Sequence, residues 1–293
     1  MVLAVLVLAG LSIYADVQAL TRSLGQIHPV AVFWALLLAT CNYVLRYGRW
    51  HLYLQLLQVQ VPHRTNALIF TAGFVMSITP GKLGEVFKAL LLREHAAVPV
   101  SRTAPLVLAE RLTDLLALVL LLAWGCTVFP WGLSLAGAGA AMVGVALFAC
   151  AYRPVGILLL RLVQHLPVLR RAGDNLHAAY EALHLCLRWR PLLLALVLST
   201  AAWFCECLAL WVLVEDLIPT HFSLAGAVFG YAAPTLAGAL ALMPGGLGVT
   251  EASMTLVLQR LSAGHLSPSA ATVVTLLVRL VTLWWAVLLG GFA

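Results

Sequence analysis

Long apolar stretches separated by short polar ones run the length of the chain, and their lengths give the first reading. Residues 1 to about 15 form a short apolar span, and a polar connection with Asp16, Arg22 and His28 follows. Pro29 opens a second apolar run that passes Trp34 and Leu38 and ends at Arg46, Arg49 and Trp50. The stretch Leu68 to Ile78 is too short to cross a hydrocarbon layer about 30 Å thick at about 1.5 Å per helical residue. It stops at Pro80-Gly81-Lys82-Leu83-Gly84-Glu85, after which residues 84–93 read as a short helix with Glu85, Lys88 and Arg93 on it. Ser101 to Phe129 is a long helix, and Leu135 to Ala151 is a further span. After the hydrophilic stretch 153–190, spans are expected at Leu192 to Val214 and Leu224 to Met243. A second break, Pro244-Gly245-Gly246-Leu247-Gly248, leads through Val249, Thr250 and Glu251 into a short helix to about Leu261. Ala270 to Gly290 is the last span, with Arg279 near its middle.

Composition supports a membrane setting. Of 293 residues, 63% are hydrophobic and 10% charged, with a mean hydropathy of +1.01. A soluble domain of this size exposes far more charge, so the pattern predicts an all-α polytopic membrane protein with roughly six to eight membrane segments. The net charge of +6 and the pI near 9.2 fit arginines on cytoplasmic loops acting as topology signals, and no nucleic-acid partner is expected. The start Met1-Val2-Leu3-Ala4 has no Lys or Arg before its apolar run, which reads as a retained first span. The six cysteines form no Cys-x-x-Cys pair, so neither a disulfide framework nor a metal site is expected, nor any cofactor.

The two breaks align. Pro80 and Pro244 lie 164 residues apart (244 − 80), and Gly81, Leu83 and Gly84 match Gly245, Leu247 and Gly248 in register. Further on, Ser101, Arg111 and Leu112 match Ser269, Arg279 and Leu280 at an offset of 168 (269 − 101). With 153–190 cytoplasmic by its arginines, the span count makes the first break enter from the cytoplasm and the second from outside, and leaves both termini cytoplasmic. The expected architecture is therefore two inverted-topology repeats. The first covers 1–152 with a re-entrant broken-helix hairpin at 67–93, and the second covers 191–293 with a hairpin at 223–263. A cytoplasmic amphipathic connector, 153–190, joins them. Half-helices starting at Gly84 and Gly248 would point free N–H groups toward mid-membrane, where an anionic group such as a lipid phosphate is favoured.

Charges inside a membrane cost about 2.5–3.5 kcal/mol each on insertion scales, so each requires a partner or a function. Arg279 reads either as a phosphate or carboxylate contact in a central cavity or as a salt bridge to Glu206 or Glu251. Glu251, one turn into its half-helix, is a proton or cation site or a partner of the helix dipole. Glu85, Lys88, Glu110, Arg111 and Asp114 form a charge-balanced set that either gates a substrate or holds the first hairpin to the next helix. Arg46, Arg49 and Trp50 read as headgroup anchors.

The ordered set Arg49-Trp50, Pro80-Gly81-x-x-Gly84-Glu85, Glu110-Arg111-x-x-Asp114, Pro244-Gly245-Gly246-x-Gly248-x-x-Glu251 and Arg279 resembles the flippase-like integral membrane family. That family includes the transmembrane region of lysylphosphatidylglycerol synthases (multiple peptide resistance factors). The resemblance spans essentially the whole chain but no aminoacyltransferase domain. Lys82 and Lys88 stand where arginine is expected, which keeps charge but loses the bidentate fork. The resemblance implies a multi-pass protein of a bacterial or archaeal cytoplasmic membrane, a transporter rather than an enzyme, that moves an anionic or polar-headgroup lipid between leaflets by alternating access. Gly81, Lys82, Gly84, Glu85, Lys88, Arg111, Gly245, Gly246, Gly248, Glu251 and Arg279 are its expected substrate contacts. Glu110, Asp114 and Glu206 are expected in gating or ion pairing. The alternative is an accessory membrane subunit or membrane enzyme of lipid or glycolipid modification. A separately encoded lipid-modifying enzyme and a second copy of the chain are the partners considered beside the lipid.

Overall fold

The computed structural model describes residues 17–79, 85–164, 173–218 and 220–293, all of them helical or in turns and loops, with no strand. The apolar span at 1–15 and the first break, Pro80 to Gly84, lie outside the described residues, as do positions 165–172 of the connector. The helices in chain order are α1 (Val17–Gln26), α2 (Pro29–Leu56), α3 (His63–Ala72), α4 (Phe87–Ala96), α5 (Val100–Cys126), α6 (Leu133–Ala151), α7 (Arg153–Gln164), α8 (Gly173–Cys186), α9 (Trp189–Glu215), α10 (Leu224–Leu240), α11 (Val249–Leu261), α12 (Pro268–Arg279) and α13 (Trp285–Gly291). One element departs from the expectation: residues 17–26, read as a polar connection, form α1, which packs against α12.

Four stretches among the described residues are long and apolar enough to cross a membrane: Pro29–Leu56, Pro130–Ala151, Trp189–Glu215 and Pro268–Gly291. Helix α5 has 27 residues but carries Arg102, Glu110, Arg111 and Asp114, so its length rather than its hydropathy marks it. Its acidic residues are buried inside the bundle, where partners replace water.

Two elements stop abruptly for local reasons. Helix α3 tightens into a 3₁₀ turn over Gly73–Ile78 just before the first break. Helix α10 ends at Leu240, and Leu242 takes a positive φ of 53° before the 3₁₀ turn Pro244–Gly246. Gly245, Gly246 and Gly248 have φ of 60°, 73° and 89°, a left-handed region that glycine reaches without a Cβ penalty. In α12–α13 the ladder slips into a π-helical turn over Leu280–Trp284 directly after Arg279. Such turns often accompany functional positions in helices.

The packing interleaves the chain's two ends. The two longest apolar helices, α2 and α9, make the most extensive contact in the molecule, and α5 packs on α8, α9 and α10. Helix α13 lies against the 3₁₀ turn Gly73–Ile78. Gly290 permits that approach, because a Cβ there would sit 2.8 Å from both the Thr71 carbonyl oxygen and the Val75 nitrogen. Within the connector, α8 is no free surface helix: Tyr180, Ala182, Leu183 and Cys186 are buried, most of them in the core shared with α2 and α5.

Candidate functional site

Among the described residues, the paired interior charges fall into two groups. In the first, Asp114 on α5 is 3% exposed and accepts from Arg46 Nη2 at 2.9 Å and Arg49 Nη1 at 2.5 Å, both on α2. Arg111 Nη2 lies 2.8 Å from Glu85 Oε2 and 3.4 Å from Asp114 Oδ2. Lys88 Nζ donates to Glu110 Oε2 at 2.6 Å and sits 3.7 Å from Glu85. The same ammonium lies over the Trp50 ring, 4.4 Å from its centroid, a contact that adds to a desolvated cation's stability. Arg49, which is fully buried, also donates to Thr113 Oγ1 at 3.1 Å and to Ser199 Oγ.

This geometry corrects the headgroup-anchor reading of Arg46, Arg49 and Trp50. Arg49 and Trp50 are 0% exposed and Arg46 8%, so they lie inside the bundle and are held by Asp114, Glu110 and Asn66. An arginine beside a tryptophan near a helix end looks like a snorkelling pair in sequence. The carboxylate that draws Arg49 inward is 65 residues away.

The second group is smaller. Arg279 Nε donates to Glu251 Oε1 at 2.6 Å, and Nη2 donates to the Gly245 carbonyl at 2.5 Å. The other Glu251 oxygen accepts the Gly248 N–H at 2.6 Å. That bond meets one of the orphan donors at the start of α11 from within the chain. Of the two partners considered for Arg279, the structure uses Glu251. Glu206 on α9 instead accepts from the Tyr231 hydroxyl on α10.

Between the groups lies a cavity of about 350 Å³ lined by residues of both halves. Arg46, Arg111 and Asp114 face it from one side, and Glu206, Gly245, Gly246 and Arg279 from the other. Tyr43, Phe74, Trp203 and Tyr231 supply aromatic wall, and Ser77, Thr235, Thr250 and Thr282 supply hydroxyls. Of the expected contact residues, Arg111, Gly245, Gly246 and Arg279 line the cavity. Glu85, Lys88, Gly248 and Glu251 stand behind that lining as partners, as does Glu110, a residue expected in gating or ion pairing. Gly81, Lys82 and Gly84 lie outside the described residues.

Sequence reasoning missed Tyr43, Ser77, Trp203, Tyr231, Thr235 and Thr282. Aromatic and hydroxyl residues are common in membrane helices, so nothing local separated these from core residues. One signal was present in Gly238. A Cβ there would clash with the Thr250 hydroxyl and lie 3.2 Å from Gly246 Cα, so its absence lets the second break close onto α10.

An all-helical bundle with four apolar spans and an interior cavity walled by paired charges is a polytopic membrane protein. A family model described as the lysylphosphatidylglycerol synthase TM region matches residues 1–290, and the chain belongs to that family. Among curated proteins, none matches the chain.

Proposed function

We propose that this protein moves a lipid with an anionic or polar headgroup between the leaflets of a cytoplasmic membrane. The headgroup would occupy the cavity while the acyl chains stay in the bilayer. The observation that carries this reading is the cavity itself, about 350 Å³ within an apolar bundle, with Arg46, Arg111 and Arg279 facing one space. Three guanidinium groups in a low-dielectric interior favour a phosphate far more strongly than they would in water.

The element order supports an inverted repeat. Each half offers a long helix (α2, α9), a shorter helix ending at a Pro-Gly break, a short helix after it (α4, α11) and a final helix carrying an arginine. In both, that arginine meets a glutamate just beyond the break: Arg111 with Glu85 and Arg279 with Glu251. Repeats with broken helices at their interface are a recurring plan of secondary transporters. On this reading the two breaks are re-entrant, the connector is cytoplasmic and the chain catalyses no bond-making step. Membership in the family agrees with a role in lipid modification or flipping.

The test is translocation of a fluorescent phospholipid in proteoliposomes, read by quenching of the outer leaflet. Vesicles with the purified protein should lose the protected fraction over time. Vesicles that behave as protein-free ones would overturn the proposal.

A further inference from the structure

The two arginine–glutamate pairs are not equivalent in their surroundings. Arg111 belongs to a redundant network. If a ligand took its guanidinium, Glu85 would keep Lys88 and Ser77, and Asp114 would keep Arg46 and Arg49. Among the described residues, Arg279 has a single carboxylate, Glu251, and Glu251 has no other cation. Glu251 is 2% exposed, and its second oxygen is held by the Gly248 N–H.

We infer that Glu251 is a proton-binding site coupled to the cavity: an anion that takes Arg279 displaces the Glu251 carboxylate, which then accepts a proton. This rests on the cavity's being an anion site, as proposed above. The step balances. The Arg279–Glu251 ion pair breaks, an Arg279–phosphate ion pair forms, and one proton taken up from the bulk solution binds Glu251 Oε1. A carboxylate left buried without its cation carries a desolvation penalty of several kcal/mol, which protonation removes. The bond to the Gly248 N–H survives the change, so the start of α11 stays capped. One negative charge and one proton enter together, and the interior keeps its net charge.

The loop around the pair is built to allow the exchange. Gly245, whose carbonyl accepts from Arg279, begins the run of positive-φ glycines, and a π-helical turn follows Arg279 itself. Among the described residues, the other charged or titratable groups on this cavity are Tyr43 and Arg46 on α2, Arg111 and Asp114 on α5, Glu206 on α9 and Tyr231 on α10, with Arg260 at the far end of α11. Arg46 and Glu206 keep their bonds to Asp114 and Tyr231 whether or not Arg279 is taken.

Isothermal titration of the protein in nanodiscs, in two buffers of different ionisation enthalpy, measures the linkage. The probes are dihexanoyl-phosphatidylglycerol and glycerophosphoglycerol, phosphodiesters with and without acyl chains. The expected result is about one proton taken up per probe bound, with affinity rising up to about tenfold per unit fall in pH. E251Q should bind with no proton uptake and a flat pH profile, and E181Q, on the connector and away from the cavity, should retain the wild-type uptake. Uptake with either probe supports the proposal, and the comparison shows whether a membrane lipid or the free headgroup is the source. Binding without proton uptake in the wild type, uptake that persists in E251Q, or no binding of either probe would overturn it. Because the wild type alone reports the stoichiometry, a poorly folded variant does not rescue the idea. Proton uptake without translocation in vesicles would sink only the transport reading, and translocation without uptake only the linkage.

Discussion

Replacing Asp114 with asparagine tests whether the interior charges hold the two helix layers together. Its carboxylate serves Arg46 at 2.9 Å, Arg49 at 2.5 Å and Arg111 at 3.4 Å. Among the described residues, the connected set is Arg46, Arg49, Lys88 and Arg111 against Glu85, Glu110 and Asp114, four cations and three anions. D114N therefore raises the excess from one positive charge to two while leaving Arg49 fully buried. Removing one member of a buried ion pair costs about 3–5 kcal/mol, because the remaining charge is left uncompensated. At about 1.4 kcal/mol per decade, that is two to nearly four decades in the unfolding equilibrium. The assay is reversible unfolding in mixed micelles followed by tryptophan fluorescence. The second arm is D114N/R49Q, which removes the most deeply buried of the Asp114 cations together with the carboxylate. Its loss should be smaller than that of D114N alone, since the charge excess returns to one. A D114N loss under about 1 kcal/mol would refute the reasoning, as would a double mutant whose losses simply add.

Gly238→Ala should cost about 1–3 kcal/mol by overpacking against Thr250 and the Gly246 backbone. Adding T250A should recover part of that loss in the same unfolding assay. Lys88→Met keeps the stem that fills the space beside Gly73 but strips Glu110 of its 2.6 Å partner. It should destabilise by about 3–5 kcal/mol, and K88M/E110Q should be the more stable of the two. On the connector, the Arg153 side chain donates to Glu181 at 2.7 Å and holds that carboxyl below its usual range. A depressed folded value means the contact's contribution is full above the ordinary glutamate range and is lost as pH falls through the folded value. The hydrogen-exchange protection of α7, taken relative to the intrinsic exchange rate at each pH, should therefore fall on acidification from about pH 5 downward in the wild type and show no such step in E181Q.

How far the sequence reached depended on whether a residue's partner was local. The second break was readable because Pro244, Gly245, Gly246 and Gly248 constrain the backbone by their own chemistry, and their positive φ values follow. Arg279 was recognisable as needing a partner, since a guanidinium in an apolar helix cannot stand alone. Choosing between Glu206 and Glu251 needed the tertiary arrangement. Glu110 and Asp114 share a face of α5 by helical spacing, and both meet Arg49. The burial of Arg49 was not legible, because its partners come from α5 and α9. Tyr231 was equally silent, since only the proximity of α9 and α10 gives its hydroxyl a carboxylate acceptor. Periodicity likewise failed at residues 17–26, where the polar positions of a short helix resemble a loop.

The claim on which the rest depends is that a headgroup crosses through this cavity, so blocking the cavity should stop translocation. In a background with Cys41, Cys126, Cys150, Cys186, Cys205 and Cys207 replaced, a single cysteine at Thr235 lines the cavity, and one at Val145 faces outward on α6. Fluorescent-lipid translocation would be measured in proteoliposomes before and after attachment of a bulky thiol reagent. Loss of translocation on modifying T235C, with V145C unaffected, is the predicted result. Unchanged translocation in fully modified T235C would contradict the account.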